Sequence, residues 1–284
     1  MIAAALIGLR EGLEAALIVG IVLGYLRKIG YLEGRRSVWL GVFAAVLASL
    51  GLGFIIQLLG LGLEGRAEVI FEGTTMFLAV GVLTWMIFWM RNQARLVKTS
   101  LERNVQDAVK TGTKWGVILV AFIAVFREGV ETVLFLSAAA FASDGQGTLI
   151  GAILGLATAI LIGALIYAST PQLSIRLFFN ITSVLLLLFA AGLLAHGIQE
   201  FQGAGLIPTV NAHVWDTNNV LDENSSLGQM LSAVFGYNGN PSLEEVVAYF
   251  GYWIAVLLGL RLWMDRRFAS KLEQASAVTS ELKQ

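Results

Sequence analysis

The chain has 284 residues, of which 57% are hydrophobic and only 14% are charged, whereas a soluble domain is usually about 25% charged. It has a formal net charge of −1 and no cysteine, which excludes disulfides, iron–sulfur clusters and zinc–thiolate sites and leaves oxygen atoms as the main metal ligands. Several apolar stretches exceed the ~18 residues that mark a spanning helix. The composition therefore predicts an all-α polytopic membrane protein.

Hydropathy divides the chain into seven predicted transmembrane helices. They cover residues 2–25, 38–62, 68–90, 115–141, 148–169, 177–199 and 246–264. We expect one transmembrane domain over residues 1–284, with an outer loop at 200–245 and a cytoplasmic tail at 265–284.

Positive charge predicts the orientation of these helices. If seven spans alternate, sixteen of the nineteen Lys and Arg residues lie on one side, Arg66 lies on the other, and Arg10 and Arg127 lie within spans. Because cytoplasmic loops carry the excess of basic residues, we expect the N-terminus outside and the C-terminus in the cytoplasm. The expected location is the plasma membrane, which in a bacterium is the inner membrane. The tryptophans expected at cytoplasmic helix ends are Trp39, Trp89, Trp115 and Trp263.

Two connections have a pattern of their own. The third connection carries Leu101 and Val105 on one helical face, which predicts an amphipathic helix near the lipid headgroups. The outer loop has no Lys or Arg, and a short helix is predicted after Ser225 and Ser226, which are suitable caps. The acidic residues of this loop fit either a solvated loop or a vestibule that collects cations: Asp216, Asp222, Glu223, Glu244 and Glu245.

The clearest motif is a charged string that occurs twice inside apolar runs. It reads REGLE at 10–14 and REGVE at 127–131, although a charged residue at the bilayer centre costs about 2.5–3.5 kcal/mol. Glu at i and i+3 share a helix face, and Arg reaches the second Glu at i,i+4. The two motifs comprise four carboxylates and two guanidiniums: Glu11, Glu14, Glu128 and Glu131, with Arg10 and Arg127 in support.

This charge pattern favours a cation site over an anion site. The six groups leave a formal charge of about −2 when all are ionised, and carboxylates are hard ligands that suit Fe(III), Mg, Ca or Mn. The alternative is a pair of buried ion pairs that only hold helices together.

The motif copies are 117 residues apart and predict an internal repeat. The units are about 1–91 and about 115–200, each with three spans, so the second enters the membrane inverted. Inverted repeats place the substrate site near the midplane at their interface. We therefore expect the two motif helices to be antiparallel with their carboxylates at similar depth, and the seventh helix to lie outside the repeat. Gly12 and Gly129 lie between the paired Glu residues and allow close helix approach.

Four further polar residues form a candidate entry site near the outer ends of two spans. Glu68 and Glu72 share a face of the third span, and His196 and Glu200 have the spacing H-x-x-x-E in the sixth. Interfacial or paired side chains are the alternative interpretation.

On these residues, the sequence resembles the oxidase-dependent iron permeases of fungi and their bacterial ferrous or ferric iron permease relatives. The resemblance rests on REGLE and REGVE, and it extends to FEGTTMF…VLTWMIFWM in the third span and AGLLAHGIQEFQGAGLIP around the sixth. It implies a seven-span permease that imports iron, either as ferric iron or as ferrous iron coupled to oxidation, with Glu11, Glu14, Glu128 and Glu131 as iron-binding residues. It also implies a separate partner, either a ferroxidase or a periplasmic iron-binding protein.

Two other functions are weighed against iron import. One is a permease for another cation such as Mn(II) or Pb(II), because four carboxylates discriminate poorly between metals. The other is a membrane-embedded di-metal oxidase, although such sites use Glu-x-x-His pairs and here each motif has Glu at that position. We expect a transporter rather than an enzyme, with iron as substrate, no resident cofactor and no nucleic-acid partner.

Overall fold

The computed structural model of the chain describes residues 1–93, 96–110, 114–143, 145–168, 175–223 and 225–281. Within these ranges the chain is all helical. The helices are α1 (Ile2–Lys28), α2 (Gly34–Leu61), α3 (Arg66–Gln93), α4 (Leu96–Lys110), α5 (Lys114–Phe141), α6 (Gly145–Ala168), α7 (Ile175–Gly203), α8 (Ser226–Phe235) and α9 (Leu243–Glu281).

Each of the seven predicted spans falls on one of the long helices. Among the described residues, α2, α3, α6, α7 and α9 contain stretches long and apolar enough to cross a membrane. The remaining two, α1 and α5, have 27 and 28 residues and carry the charged motifs near their centres, so charged residues interrupt their apolar stretches. The chain is therefore a multi-pass membrane protein.

The long helices pack in pairs with defined directions. Gly8 of α1 faces Ala152 of α6 and Gly163 of α6 faces Ala16 of α1, so these two helices run parallel. In the same way, Gly41 of α2 faces Ala121, and Gly53 faces Val133, so α2 and α5 run parallel. The third pair, α3 and α7, runs antiparallel, because Gly73 faces Phe201 and Gly197 faces Phe77. The short connection between α1 and α2 makes these two helices antiparallel. Because α2 and α5 run parallel, α1 and α5 are antiparallel.

Small residues bring these helix backbones into contact. A Cβ added to Gly12 would lie 2.7 Å from the Cβ of Ala159, and one added to Gly129 would collide with the side chain of Ser49. Glycine at these positions lets α6 and α2 approach the two motif helices, as small residues do at membrane helix interfaces. The predicted use of Gly12 and Gly129 for close approach is confirmed.

Two apolar clusters lie toward opposite ends of the bundle. The first joins Ala3 and Ile7 of α1 to Phe135 of α5 and to residues of α3, α7 and α9. The second joins Val22 and Leu26 of α1 to residues of α2, α4 and α5. Since the motifs occupy the middle of α1 and α5, both clusters flank them along the bundle.

Helix α4 packs against protein at one end of the bundle. Leu101 is 8% exposed and Val105 is fully buried, and both contact the second apolar cluster through residues such as Leu26 and Val117. The predicted helix is confirmed. Its apolar face covers the ends of α1 and α5 instead of being free to face lipid.

The segment predicted as the outer loop, residues 200–245, is ordered by its own hydrogen bonds. The predicted short helix is α8, and the side chain of Ser225 caps it by accepting a hydrogen bond from the backbone nitrogen of Gly228 at 3.0 Å. Glu244 accepts hydrogen bonds from Val210 and Gln202 at 2.6 and 3.0 Å. Two more of the acidic residues, Glu223 and Glu245, also accept hydrogen bonds within this segment. These three carboxylates therefore help to fold the loop.

Some of the basic residues and one tryptophan used to predict orientation have side chains that the structure does not describe. The residues concerned are Arg91, Arg95, Lys98, Lys114, Arg176, Trp263, Arg266, Arg267, Lys271 and Lys283.

Replacing Gly155 with alanine should destabilise the α1–α6 pair. The new Cβ would collide with the carbonyl of Ala5 and lie 2.8 Å from the backbone nitrogen of Leu9, and neither atom can move without shifting a helix. Overpacking costs about 1–3 kcal/mol, so the melting temperature of the purified protein in detergent should fall.

Gly20→Ala in α1 is the matched control, because a Cβ there meets nothing within 4 Å. It should leave the melting temperature unchanged or raise it, since alanine favours a helix over glycine by about 1 kcal/mol. Equal melting temperatures for the two variants would contradict the proposed close contact.

Candidate metal centre

Three of the four motif carboxylates meet where α1 and α5 pack together. Glu11, Glu128 and Glu131 are 1%, 4% and 6% exposed. One carboxylate oxygen from each lies within 4.8 Å of the others. Metal–oxygen distances of about 2.0–2.6 Å place ligand oxygens up to about 4–5 Å apart, so the three oxygens are close to the spacing of one coordination sphere.

Glu14 lies at the edge of this group. Its side chain is 11% exposed, and its Oε1 lies 3.2 Å from Nη2 of Arg10. It interacts electrostatically with Glu131 and with Arg127. Glu14 is thus close to the second motif, although it does not belong to the group of three within 4.8 Å.

The two motif arginines have different environments. Arg10 is fully buried, and its Nη1 lies 3.0 Å from Glu11 Oε1. The side chain of Arg127 is 37% exposed and its Nε donates to Glu131 Oε1 at 3.0 Å. Its guanidinium carbon lies 4.4 Å from the centroid of the Trp89 ring, which is a cation–π contact. Trp89, predicted only as a membrane-interface residue, is therefore also a partner of the motif.

The predicted i,i+4 pairs are present, since Arg10 contacts Glu14 and Arg127 contacts Glu131. Sequence reasoning missed the pair formed by Arg10 and its neighbour Glu11. Adjacent residues on a helix point in different directions, and only the burial of both side chains turns them toward each other.

Three of the motif carboxylates have a buried oxygen that contacts no donor among the described residues. These oxygens are Oε2 of Glu11, Oε2 of Glu128 and Oε2 of Glu131, whereas the buried Oε1 of Glu14 is ion-paired with Arg10 at 3.2 Å. A buried polar atom without a partner is costly, and the cost is greater for a charged group. A cation bound among these oxygens would satisfy them. This donor set fits a metal ion better than it fits a simple helix-linking ion pair.

Two methionine thioethers also contact the guanidinium of Arg10. Its Nη1 lies 3.3 Å from Met86 Sδ and its Nη2 lies 3.0 Å from Met90 Sδ. Both methionines lie on α3, one helical turn apart, so the sequence offered no signal that they reach α1.

The four residues of the candidate entry site lie in one region between α3 and α7. Glu72 interacts electrostatically with Glu200 and Glu68, and Glu200 interacts with His196. The ring of His196 is hydrogen-bonded at 3.2 Å to the carbonyl of Gly192, on its own helix. Unlike the motif carboxylates, these residues do not bring three ligand atoms within 4.8 Å.

The fold and the buried carboxylates together define a membrane transport protein, because charged groups inside a helical bundle typically mark an ion pathway. Comparison with known families makes this specific. The chain belongs to the iron permease FTR1 family, whose profile matches residues 1–270. It is accordingly a permease and not an enzyme, which removes the di-metal oxidase from consideration.

Several relatives cover almost the whole chain. The chain is 40% identical over 259 residues to the ferrous iron permease EfeU of Shigella sonnei (strain Ss046), covering 90% of this chain and 94% of that protein. The EfeU of Escherichia coli O157:H7 gives the same values. The EfeU of Yersinia pestis is 40% identical over 255 residues, or 89% and 90% of the two chains. No solved structure matches the chain.

Arg10→Ala should destabilise the protein more than Arg127→Ala. Arg10 is fully buried against Glu11 and Glu14, whereas Arg127 is 37% exposed. Removing one partner of a buried ion pair costs about 3–5 kcal/mol, while solvent compensates part of the loss at Arg127. Thermal unfolding of the two variants in detergent measures the difference. A larger decrease in melting temperature for Arg127→Ala would contradict the burial described here.

Proposed function

We propose that this protein imports iron and that the carboxylates of the two motifs form the iron site. The observation that carries the proposal is the meeting of Glu11, Glu128 and Glu131 from two helices, each with a buried oxygen that accepts no hydrogen bond from the described residues. The relatives described above are named ferrous iron permeases, which supports iron as the substrate.

The proposed site binds a cation by replacing its water shell with carboxylate oxygens. Glu11, Glu128 and Glu131 supply the first ligands, and Glu14 joins them as the cation arrives or leaves. Arg10 and Arg127 neutralise part of the carboxylate charge while the site is empty. The remaining formal charge of about −2 attracts a cation and repels an anion.

We further propose that α1–α3 and α5–α7 form two inverted repeats. The proposed repeat relates α1 to α5, α2 to α6 and α3 to α7. Under this relation the α1–α6 pair corresponds to the α5–α2 pair, and the α3–α7 pair corresponds to itself. The directions agree with this exchange, because α1–α6 and α2–α5 both run parallel. An inverted repeat supports alternating access, in which one unit moves against the other around a central site.

The two apolar clusters suggest where the pathway opens in this mechanism. The cluster around Ile7 and Phe135 separates the site from one end of the bundle, and the cluster around Leu26 and Val117 separates it from the other. We propose that transport loosens one cluster at a time. With seven spans and the N-terminus outside, the first cluster is the outer one, in the plasma or bacterial inner membrane.

Oxidation of iron and a partner protein that supplies it are part of the proposal as well. A ferroxidase or a periplasmic iron-binding protein would deliver iron to the outer end of the bundle. Glu68, Glu72, His196 and Glu200 are at that end in the proposed orientation, and we propose that they form an entry site from which iron moves to the motif carboxylates.

Glu11→Gln, Glu128→Gln and Glu131→Gln should each reduce iron uptake at least about tenfold. Each substitution removes a charged ligand, and charged contacts are worth about 1.5–3 kcal/mol. Uptake of radiolabelled iron into proteoliposomes, normalised to the amount of folded protein, measures the effect.

Glu33→Gln is the matched control, because Glu33 is exposed at the start of α2 and its side chain makes no capping hydrogen bond. It should leave uptake unchanged. Undiminished uptake by the three motif variants would remove the proposed site. Competition by Mn(II) and Pb(II) distinguishes iron from the other candidate substrates, and stronger transport of either competitor would favour a different metal.

The double variant Glu72→Gln/Glu200→Gln should raise the KM for iron about three- to tenfold and leave the maximal rate unchanged. An entry site increases the local concentration of cations by electrostatic attraction, but it does not take part in movement across the membrane. A decrease in maximal rate with the same KM would show instead that these residues only support the packing of α3 on α7.

A further inference from the structure

The stretch VLTWMIFWM of α3 contributed to the family resemblance, but the chemistry of the motifs gives it no role. In the structure this stretch contacts both motif arginines. Met86 and Met90 contact Arg10, and Trp89 lies against Arg127. A helix outside the two motifs therefore provides neutral, polarisable partners for both guanidiniums.

The contacts of Arg10 are divided between two sides of its guanidinium. Nη1 lies 3.0 Å from Glu11 Oε1 and 3.3 Å from Met86 Sδ. Nη2 lies 3.2 Å from Glu14 Oε1 and 3.0 Å from Met90 Sδ. Each terminal nitrogen is thus shared by one carboxylate and one thioether, and the guanidinium lies between the two pairs.

This arrangement disfavours the sulfurs as direct ligands of the transported cation. Glu11 offers its Oε2 to a cation while its Oε1 holds Arg10, so the guanidinium lies between the sulfurs and the group of three carboxylates. Met86 is also fully buried in the first apolar cluster. The sulfurs act on Arg10, and Arg10 acts on the carboxylates.

Charge explains why neutral acceptors are suitable here. A bound cation repels the neighbouring guanidinium and competes with it for Glu11. A further carboxylate near Arg10 would hold it more tightly but would add negative charge to the site. A thioether is a weak acceptor that adds no charge and still gives the buried N–H groups a partner.

We propose that Met86 and Met90 are positioning residues that receive the Arg10 guanidinium when a cation binds to Glu11, Glu128 and Glu131. This inference rests on the proposed function. In the cation-free protein, the carboxylates and the thioethers share Arg10. In the cation-bound protein, the thioethers become its main acceptors, so they stabilise the bound state more than the free state.

The double variant Met86→Leu/Met90→Leu should therefore bind iron about tenfold more weakly, because the charged Arg10 donor loses its two thioether acceptors. Leucine keeps the volume and the apolar character of methionine and is usually tolerated in cores. We expect about a tenfold higher KM for uptake into proteoliposomes, with the maximal rate per folded protein unchanged. Equilibrium binding of radiolabelled iron to the purified protein should show the same tenfold loss.

Met76→Leu is the matched control. Met76 is also fully buried on α3 and in the first apolar cluster, but it is not a partner of Arg10. This variant should bind iron like the unaltered protein. An equal loss in Met76→Leu would assign the effect to packing and overturn the proposal.

A double-mutant cycle with Arg10→Lys tests whether the sulfurs act through Arg10. Lysine keeps the charge but lacks the planar fork that contacts two sulfurs at once, so Met86→Leu/Met90→Leu should change iron binding less than about twofold in that background. A tenfold loss that persists in the Arg10→Lys background would mean that the sulfurs contact the cation directly, and the proposal would be wrong.

The iron site and the role of the thioethers can be tested separately. If Glu128→Gln abolishes iron binding but the methionine variant binds normally, the iron site stands and the role of the thioethers is excluded. If neither the unaltered protein nor its variants bind iron, the proposed function is wrong.

Discussion

The packing of α1 against α5 places charged groups in the middle of an apolar bundle, and the cost of removing them from water constrains the rest of the structure. Buried charges persist when they are paired and hydrogen-bonded. Arg10 and Arg127 each pair with carboxylates of their own motif. The pairing is incomplete, because Glu11, Glu128 and Glu131 each keep one buried oxygen without a donor among the described residues. This incomplete pairing is the reason for proposing a cation site here instead of a set of structural ion pairs.

Close packing holds these charges in place. The small residues of α2 and α6 let backbone meet backbone along the motif helices, as at Gly8 against Ala152 and Gly41 against Ala121. Dispersion contacts over such surfaces replace the hydrophobic effect, which is weak between helices in lipid. The apolar clusters on both sides of the site then separate it from each end of the bundle.

Helix α3 makes the two halves of the site unequal. Its methionines contact a fully buried Arg10, whereas its Trp89 covers one face of an Arg127 that is still 37% exposed. The motifs are nearly identical in sequence, so this difference comes from their surroundings. In the proposed site, α3 creates this inequality with neutral side chains that leave the charge of the site unchanged.

The sequence by itself determined the class of fold, the existence of seven long helices, the short capped helix after Ser225 and the identity of the motif residues. Each of these follows from local patterns, namely apolar length, capping chemistry and charge in an apolar run. Only the tertiary structure decided that Glu11, Glu128 and Glu131 meet within 4.8 Å while Glu14 lies at the edge. It also decided that Arg10 pairs with its neighbour Glu11 and with sulfurs 76 and 80 residues away. The physical reason is that helical periodicity fixes which side chains share a face, whereas the partners across a helix interface depend on the separation and rotation of packed helices.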